Sequence, residues 1–373
     1  MPTHLAALLP SKSSPLILTT RQTPTPGPND LLIAVKSIAL NPADAIIRNT
    51  GLFIPSYPTV IGFDLSGLVL EVGANVPKHF HPGITRVAAY SASVWKGCDP
   101  DYGAFQEKCI VPWQHVVPLP DEGVMISWNE AAMLPVAVQV ALNAWEMMGL
   151  QLVCDTQTND GIKGQMGKKR EILLVWGASS SVGSMGVQVA RVLRDQPDSS
   201  FAAVYATAGA ANHEYVRSLG ADRVFDHRDP RVVDEIVKSA REDGCVIRYC
   251  FLAVGDVRMC QAVLGSFVGD VDGNGDGDVK AKIASAPVVP SDVDVVDGVE
   301  VIFVVPAVDD EEKRLDQFRY WLGTWARENL NKGSIRPSPE LRVVGRGLQA
   351  VNDGLDELSQ GVSCTKLVVE VAE

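Results

Sequence analysis

A short turn rich in glycine and serine constrains this chain more than any other segment. It spans residues 175–186 (VWGASSSVGSMG), follows the apolar run 171–176, and leads into residues 186–193, whose apolar side chains recur at helical spacing. A buried strand, a tight turn and a helix in this order present backbone N–H groups to an anion. The segment therefore predicts a βαβ unit that binds the pyrophosphate of a dinucleotide.

Three glycines and a run of serines give this turn its chemistry. Gly177 permits the tight bend, Gly183 allows close approach of the backbone to a phosphate, and Gly186 lets the helix pack against the strand. Ser180 and Ser181 occupy positions where glycines are usual, and their hydroxyls can donate to phosphate oxygens. An ordinary strand–helix turn is the alternative, but the surrounding βαβ pattern favours dinucleotide binding.

The second predicted strand, residues 201–207, bears on the choice of coenzyme. A chain that binds NAD is expected to carry an Asp or Glu about 20 residues after the glycines, where it holds the ribose hydroxyls. Residues 205–213 contain no acid, and a carboxylate there would repel a 2′-phosphate. His213 and Arg217 follow as possible cationic partners. The sequence therefore favours NADPH as the coenzyme.

The pattern of apolar, glycine and proline residues changes near residue 127. Before it, short apolar runs alternate with Gly and Pro, as in a small barrel-like β domain. After it, Ser127 and Glu130 form a capping-box signal, and strand and helix patterns then alternate, as in a parallel sheet covered by helices. A length of 373 residues also favours two domains.

The predicted strands are residues 31–40, 65–73, 86–90, 104–111, 171–176, 201–207, 223–225, 246–252, 299–305 and 361–371. The predicted helices are residues 128–145, 186–193, 213–219, 231–240 and 311–330.

Composition and charge exclude several classes of partner. The chain has 33 basic against 45 acidic residues, a net charge of −12, which argues against binding nucleic acid. The seven cysteines are scattered, as in a reducing compartment. No apolar run reaches the ~18 residues needed to cross a bilayer, and the start of the chain does not resemble a secretory signal. We expect a cytoplasmic protein that binds neither a membrane nor nucleic acid.

Two polar segments interrupt the pattern. Residues 154–170 predict a surface loop. Residues 269–278 are acidic and partly fit a calcium loop, with Asp270, Asp272, Asn274 and Gly275 at ligand or turn positions, but the twelfth position is Ala281 instead of a carboxylate. We therefore interpret this segment as a solvated insertion.

Six short motifs together resemble one known family. They are NPAD (41–44), YPTVIGFDLSG (57–67), GAFQEKCIVP (103–112), the turn 177–186, LGAD (219–222) and KLVV (366–369). The chain resembles the zinc-independent, quinone-oxidoreductase-like medium-chain dehydrogenase/reductases. Residues 128–145 and 225–230 are most similar to the fungal branch that includes the trans-acting enoyl reductases of polyketide pathways.

The resemblance implies an α/β fold with two domains. A GroES-like, β-rich catalytic domain would be formed by both chain ends, residues 1–127 and 309–373, and residues 128–308 would form a Rossmann domain. The implied activity is NADPH-dependent reduction of a conjugated C=C bond in secondary metabolism, without a metal. The substrate would be a small molecule or a carrier-bound enoyl group, with a polyketide synthase as the candidate partner.

The resemblance also implies the binding residues. The coenzyme-binding residues would be Asn41, Pro42, Ala43 and Asp44 near the nicotinamide, Ser179, Ser180, Ser181 and Val182 at the pyrophosphate, Gly209, Ala210, Ala211 and Asn212 near the 2′-phosphate, His227 at the adenosine, and Val362 and Ser363 on the nicotinamide side. The substrate tunnel would be lined by Val136, Ala137, Val138, Gln139, Val140, Ala141, Leu142 and Asn143.

Several positions depart from relatives of this kind. Gly209 stands where a phosphate-binding serine is usual, and His227 stands where tyrosine is usual. Zinc-dependent relatives have Cys at the position of Asn41 and a His-Glu pair at Phe63-Asp64. Catalytic zinc needs three protein ligands, so we expect no metal.

No catalytic residue is assigned from the sequence. Tyr57 is a candidate proton donor and water is the alternative. The Tyr-x-x-x-Lys pair of short-chain reductases occurs at none of the seven tyrosines. Two alternatives stay open: a freestanding quinone or enone oxidoreductase, and a nucleotide-binding protein without catalytic activity.

Overall fold

The computed structural model describes residues 2–120, 126–152, 170–269 and 280–371. The predicted surface loop 154–170, except for Arg170, and the possible calcium ligands at 270–275 lie outside these residues.

The strands are β1 (Thr3–Leu8), β2 (Ile17–Gln22), β3 (Asp30–Ala39), β4 (Asp64–Val72), β5 (Arg86–Tyr90), β6 (Lys108–Pro112), β7 (Val116–Pro118), β8 (Glu171–Trp176), β9 (Phe201–Ala208), β10 (Arg223–Asp226), β11 (Val246–Leu252), β12 (Ala281–Ser285), β13 (Val299–Phe303), β14 (Glu340–Arg346) and β15 (Thr365–Glu370). The helices are α1 (Pro42–Thr50), α2 (Trp128–Ala132), α3 (Pro135–Met147), α4 (Ser181–Arg194), α5 (His213–Ser218), α6 (Val232–Glu242), α7 (Val257–Gly265), α8 (Glu311–Phe318), α9 (Arg327–Asn331) and α10 (Ala350–Gln360).

The chain forms two compact units. The first contains Met1–Gln139 and Ala307–Glu373, and the second contains Val140–Pro306. Both chain ends therefore belong to one unit, as the resemblance implied. The predicted domain boundaries at 127/128 and 308/309 stay a prediction, because a compact unit need not coincide with an independently folding domain.

The second unit is built on a six-stranded parallel sheet. Its strand order is β10-β9-β8-β11-β12-β13, and every neighbouring pair is parallel. Strands β8 and β11 have the predicted bounds, and their apolar side chains lie in one buried core with those of α6 and α7. Strand β12 was not predicted, because its five residues carry too short a pattern to separate from the acidic segment before it.

The first unit is centred on β3. This strand pairs antiparallel with β4 on one side and with β6 and β15 on the other. β15 also pairs in parallel with β14, so the last strand of the chain lies inside the seven-stranded sheet. It begins at Thr365 instead of at 361 as predicted, and its middle residues Leu367, Val368 and Val369 are fully buried.

Of two long predicted helices, one is divided and the other is continuous. The predicted helix 128–145 is two helices, because Pro135 lacks the N–H that would continue the first one and instead begins α3. The capping box is confirmed, since Ser127 Oγ accepts the Glu130 N–H at 3.2 Å. The predicted helix 311–330 is α8, a π-helical segment (Arg319–Ala326) and α9.

None of the helices that the structure describes combines the length and the apolar character required to span a bilayer.

Candidate coenzyme and substrate sites

The turn between β8 and α4 has the shape that its glycines predicted. Gly177 has φ +79°, which favours glycine, and its N–H donates to Thr207 Oγ1 at 3.0 Å. A Cβ on Gly183 would lie 2.3 Å from the Gly177 carbonyl oxygen, and a Cβ on Gly186 would lie 2.6 Å from the Phe251 ring. The turn is therefore closed so tightly that only glycine fits at these positions.

The serines of this turn have different roles. Ser180 is the N-cap of α4: its Oγ accepts the Gly183 N–H at 3.1 Å and donates to the Gly177 carbonyl at 2.8 Å. Ser181 Oγ is buried and has no hydrogen-bond partner among the residues that the structure describes. The first turn of a helix also leaves N–H groups without helical acceptors. A bound anion would satisfy these donors, so the turn fits a diphosphate.

The carboxyl end of β9 carries no acidic side chain. The strand ends at Ala208, Gly209 is extended, and residues Ala210–Asn212 form a single 3-10 turn before α5. His213 Nε2 lies 3.1 Å from the Ala208 carbonyl oxygen and so contacts this end of the strand. Gly209 is buried, whereas Ala210 and Ala211 are exposed, and His227 is exposed after β10.

Sequence reasoning missed one cation at this position. The guanidinium of Arg228 lies beside Gly209, since an ideal Cβ on Gly209 would be 3.7 Å from Arg228 Cζ. Arg228 follows β10, which is the parallel neighbour of β9. The strand order brings the two residues together, and the signal in the sequence was the position of Arg228 just after the predicted strand 223–225.

Four polar side chains form a buried cluster in the first unit. Asn41 Nδ2 donates to Asp64 Oδ2 at 3.0 Å, and Lys366 Nζ donates to Asn41 Oδ1 at 2.5 Å and to Asp64 Oδ2 at 3.2 Å. Asp44 Oδ2 accepts the Asn41 N–H at 2.7 Å. Asp44 and Asp64 have no exposed surface, and Lys366 is 3% exposed. The cluster thus fixes Asn41 from three sides.

Burial changes the titration of both carboxyls. It raises the pKa of Asp44 from 3.8 to about 7, against the Asn41 hydrogen bond, and the Asp64 carboxyl adds to the rise. Burial also raises the pKa of Asp64, and the Lys366 ammonium opposes that rise. Asp44 Oδ1 has no partner within the described part of the chain. Asp44 is therefore partly protonated near neutral pH.

The predicted residues at the nicotinamide end are divided between buried and exposed positions. Asn41 and Asp44 are buried, whereas Pro42 and Ala43, in the first turn of α1, are exposed. Val362 is half-buried and Ser363 is exposed just before β15, the strand that supplies Lys366 to the cluster.

The predicted substrate-lining residues all lie on α3. Six are buried, and Val136 and Val140 are half-buried. The Val136 N–H donates to Asp64 Oδ1 at 2.8 Å, so the first turn of α3 is hydrogen-bonded to the buried cluster. Asn143 Nδ2 is buried with no acceptor among the described residues. The buried residues are Ala137, Val138, Gln139, Ala141, Leu142 and Asn143.

The two relevant tyrosines differ in their position relative to the cluster. The Tyr57 hydroxyl packs against Gly51, at the C-terminal end of α1, and Asn41 caps the other end. Nine residues of helix separate these ends by about 13 Å. Tyr90 instead lies opposite Asp64 in the β4–β5 pair. Burial, together with the carboxyls of Asp64 and Asp44, raises the pKa of Tyr90, which keeps its hydroxyl protonated.

Comparison with known proteins supports the same architecture. Residues 27–121 match the alcohol dehydrogenase GroES-like domain family. The chain is 39% identical to the trans-enoyl reductase tndF of Aspergillus flavipes, over 98% of each chain. It is 40% identical to the trans-enoyl reductase tazE of Aspergillus terreus, over 82% of this chain and 93% of the relative.

A solved structure supports the fold. An alcohol dehydrogenase superfamily protein from Novosphingobium aromaticivorans superposes with a TM-score of 0.74 at 18% identity, over 99% of this chain and 100% of the other. Together these matches confirm the predicted α/β fold class, a GroES-like domain combined with a Rossmann domain.

Proposed function

This chain belongs to the medium-chain dehydrogenase/reductase family, with the fungal trans-enoyl reductases as its relatives, and from that premise we propose that it reduces conjugated C=C bonds of enoyl groups with NADPH. It is an oxidoreductase of secondary metabolism. The observation that carries the proposed reaction is the full-length similarity to a trans-enoyl reductase.

The coenzyme would be held by the residues implied above. Ser179 to Val182 would hold the pyrophosphate, supported by the unpartnered Ser181 hydroxyl and the first turn of α4. A bound nicotinamide supplies the hydride for the β-carbon of the substrate. The buried cluster around Asn41 would orient that side of the site, because Asp64 and Lys366 fix the Asn41 amide.

The absence of a carboxylate at the end of β9 supports NADPH over NADH. An acid there would accept hydrogen bonds from the ribose of NAD and would repel a 2′-phosphate. Residues 208–213 are neutral apart from His213, whose ring contacts the Ala208 carbonyl. The end of β9 itself thus carries no carboxylate that would repel a 2′-phosphate.

A reaction without a metal is supported by the residues at the ligand positions of zinc-dependent relatives. Asn41 offers an amide and Phe63 a phenyl ring, which are not zinc ligands of the usual kind. The third position, Asp64, is already neutralised by the Lys366 ammonium at 3.2 Å, and that ammonium would repel a dication. In the described ranges, no three His, Cys, Asp or Glu side chains form a group that could hold a metal ion.

The proposed substrate is an enoyl group carried on a polyketide synthase. This part of the proposal rests on the relatives named trans-enoyl reductases. A freestanding quinone or enone oxidoreductase is the second candidate, and it shares the same fold and coenzyme requirement. A nucleotide-binding protein without catalytic activity is the third.

An absorbance assay of NADPH oxidation separates these candidates. We expect oxidation with an α,β-unsaturated thioester on a carrier or pantetheine arm, slower oxidation with a simple quinone, and no loss of rate after treatment with a metal chelator. Faster turnover of the quinone would favour the second candidate. Saturable NADPH binding without oxidation of any substrate would overturn the reductase assignment, and inactivation by the chelator would overturn the metal-free reaction.

A further inference from the structure

We propose that Arg228 selects the coenzyme by binding the 2′-phosphate that distinguishes NADPH from NADH. The inference rests on the proposed function, and it assigns this role to a residue that neither the turn after β8 nor the resemblance had indicated. Two observations carry it: the position of the guanidinium, and the absence of an ion-pair partner for it within the described part of the chain.

The position of Arg228 is set by the order of the parallel strands. β9 and β10 are neighbours, so their carboxyl ends open onto the same edge of the sheet. An ideal Cβ on Gly209 would lie 3.7 Å from Arg228 Cζ, 3.8 Å from Nη2 and 3.9 Å from Nη1. These distances place the guanidinium beside Gly209, with Cζ and both terminal nitrogens within 4 Å of the position that a Cβ would take. Because Gly209 has no side chain, nothing from that residue occupies this space.

The guanidinium is available to an anion. Its residue is exposed, and no ion pair or hydrogen bond to the guanidinium is found among the described residues. The acids of the same loop are engaged elsewhere. Asp226 accepts the backbone N–H of Arg228 at 2.9 Å, and Asp229 lies 3.5 Å from the Arg231 guanidinium, which also contacts Glu235. The loop thus presents one cation without a carboxylate partner.

The chemistry of a guanidinium suits this role. It is always charged and donates two parallel N–H bonds to a phosphate, which a neutral serine hydroxyl cannot match in charge. Gly209 stands where a phosphate-binding serine is usual, so Arg228 would supply the contact that this substitution removes. A charged hydrogen bond of this kind corresponds to roughly a 10- to 100-fold difference in affinity.

Binding of two adenosine nucleotides tests the proposal without depending on turnover. Calorimetric titration with adenosine 2′,5′-bisphosphate and adenosine 5′-monophosphate is compared for the native protein, Arg228→Gln and Arg217→Gln. Arg217, which the sequence offered as a possible cationic partner, is the competing candidate: it is exposed in the last turn of α5, and its variant loses the same charge. We expect the native protein and Arg217→Gln to prefer the bisphosphate. In Arg228→Gln, bisphosphate affinity should fall about 10-fold or more while monophosphate affinity is retained.

Steady-state kinetics provide the second readout. Arg228→Gln should raise the KM for NADPH by a similar factor, leave the KM for NADH unchanged, and weaken the salt dependence of NADPH binding. The proposal is overturned if Arg228→Gln keeps its preference for the bisphosphate, if Arg217→Gln is the variant that loses it, or if the native protein binds both nucleotides equally. Failure of the proposed function looks different: the bisphosphate preference would depend on Arg228, yet no enoyl substrate would be reduced.

Discussion

At the scale of single residues, the buried cluster of the first unit shows how a lysine near the end of the chain pairs with a buried carboxylate. Asn41 is bound by both Asp64 and Lys366, and the ammonium lies within hydrogen-bond distance of each. A positive charge that belongs to the protein therefore neutralises the Asp64 carboxylate. The resemblance places Asn41 and Phe63-Asp64 at the positions that a Cys and a His-Glu pair occupy in zinc-dependent relatives, and this is one reason why we propose a reaction without a metal.

Asp44 should make the protein less stable as the pH rises. Its pKa is raised from 3.8 to about 7 in the folded state, so between these values the folded chain retains a proton that the unfolded chain releases. The free energy of unfolding should therefore fall between about pH 4 and about pH 7, by roughly a few kcal/mol. Asp44→Asn, which imitates the neutral acid, should flatten this dependence in urea unfolding followed from about pH 4 to about pH 8.

The control for this prediction is Asp353→Asn, an exposed acid in the first turn of α10 of the same unit. It should leave the pH dependence as it is in the native protein. An Asp44→Asn variant with an unchanged slope would show that Asp44 ionises normally in the fold.

Alanine variants of the two neighbouring serines in the β8–α4 turn should have different effects, one on stability and the other on NADPH binding. Ser180→Ala removes the N-cap and should lower the free energy of unfolding by about 1 kcal/mol. Ser181→Ala removes a buried hydroxyl without a described partner, so it should leave stability within about 0.5 kcal/mol and weaken NADPH binding several-fold. Thermal melting and fluorescence titration of both variants measure the two effects. Equal NADPH affinity in Ser181→Ala and the native protein would argue against a phosphate contact.

At the scale of elements, the turn is determined by glycines whose missing side chains make room for the backbone. Gly183 lies in the first turn of α4, where a Cβ would overlap the Gly177 carbonyl oxygen. The local pattern was sufficient to predict the β8–α4 turn, because glycines stand at the positions where the turn requires them. The pattern of helix formers was not sufficient for the helices before the turn. Helix formers continue from 128 to 145, but Pro135, which lacks an N–H, divides this segment into two helices.

Gly183→Ala should damage the turn. A Cβ at 2.3 Å from a carbonyl oxygen forces the backbone to shift, and we expect a loss of about 1–3 kcal/mol of stability together with weaker coenzyme binding. Gly265→Ala in α7 is the matched control, because among the described residues its Cβ would meet only Val296 Cγ1, at 3.5 Å, and alanine favours helices. Chemical unfolding of both variants tests this. A Gly183→Ala variant as stable as Gly265→Ala would mean that the turn relaxes freely.

At the scale of the whole molecule, the first unit depends on the two ends of the chain. β15 lies between β14 and β3, and it contributes both buried apolar residues and the buried Lys366. A sheet that loses an internal strand exposes two unpaired edges and part of its core. The final strand is therefore a requirement for the fold of this unit.

Ending the chain after Gly361 should prevent the first unit from folding. The shortened protein should aggregate or lose its cooperative melting transition, whereas a chain ending after Val371, which retains β15, should melt like the full chain. Circular dichroism and the soluble yield of both proteins provide the measurement. A cooperative transition in the shorter protein at the native temperature would contradict the structural role of β15.

The sequence by itself determined local elements of the proposed coenzyme site. The buried strand β8 and the bend at Gly177 depend on apolar spacing and on backbone conformations that neighbouring residues dictate, whereas α4 begins at Ser181 and not at Gly186 as predicted. The resemblance of six motifs added the two-domain arrangement and the reaction class.

Only the tertiary structure decided which distant side chains meet. Lys366 reaches Asn41 across 325 residues of chain, and Arg228 lies over Gly209 because β10 is the neighbour of β9 in the sheet. No periodicity encodes such pairs, since they depend on which strands become neighbours in each sheet. Burial then set the charge of Asp44, because removing a carboxyl from water disfavours its ionised form.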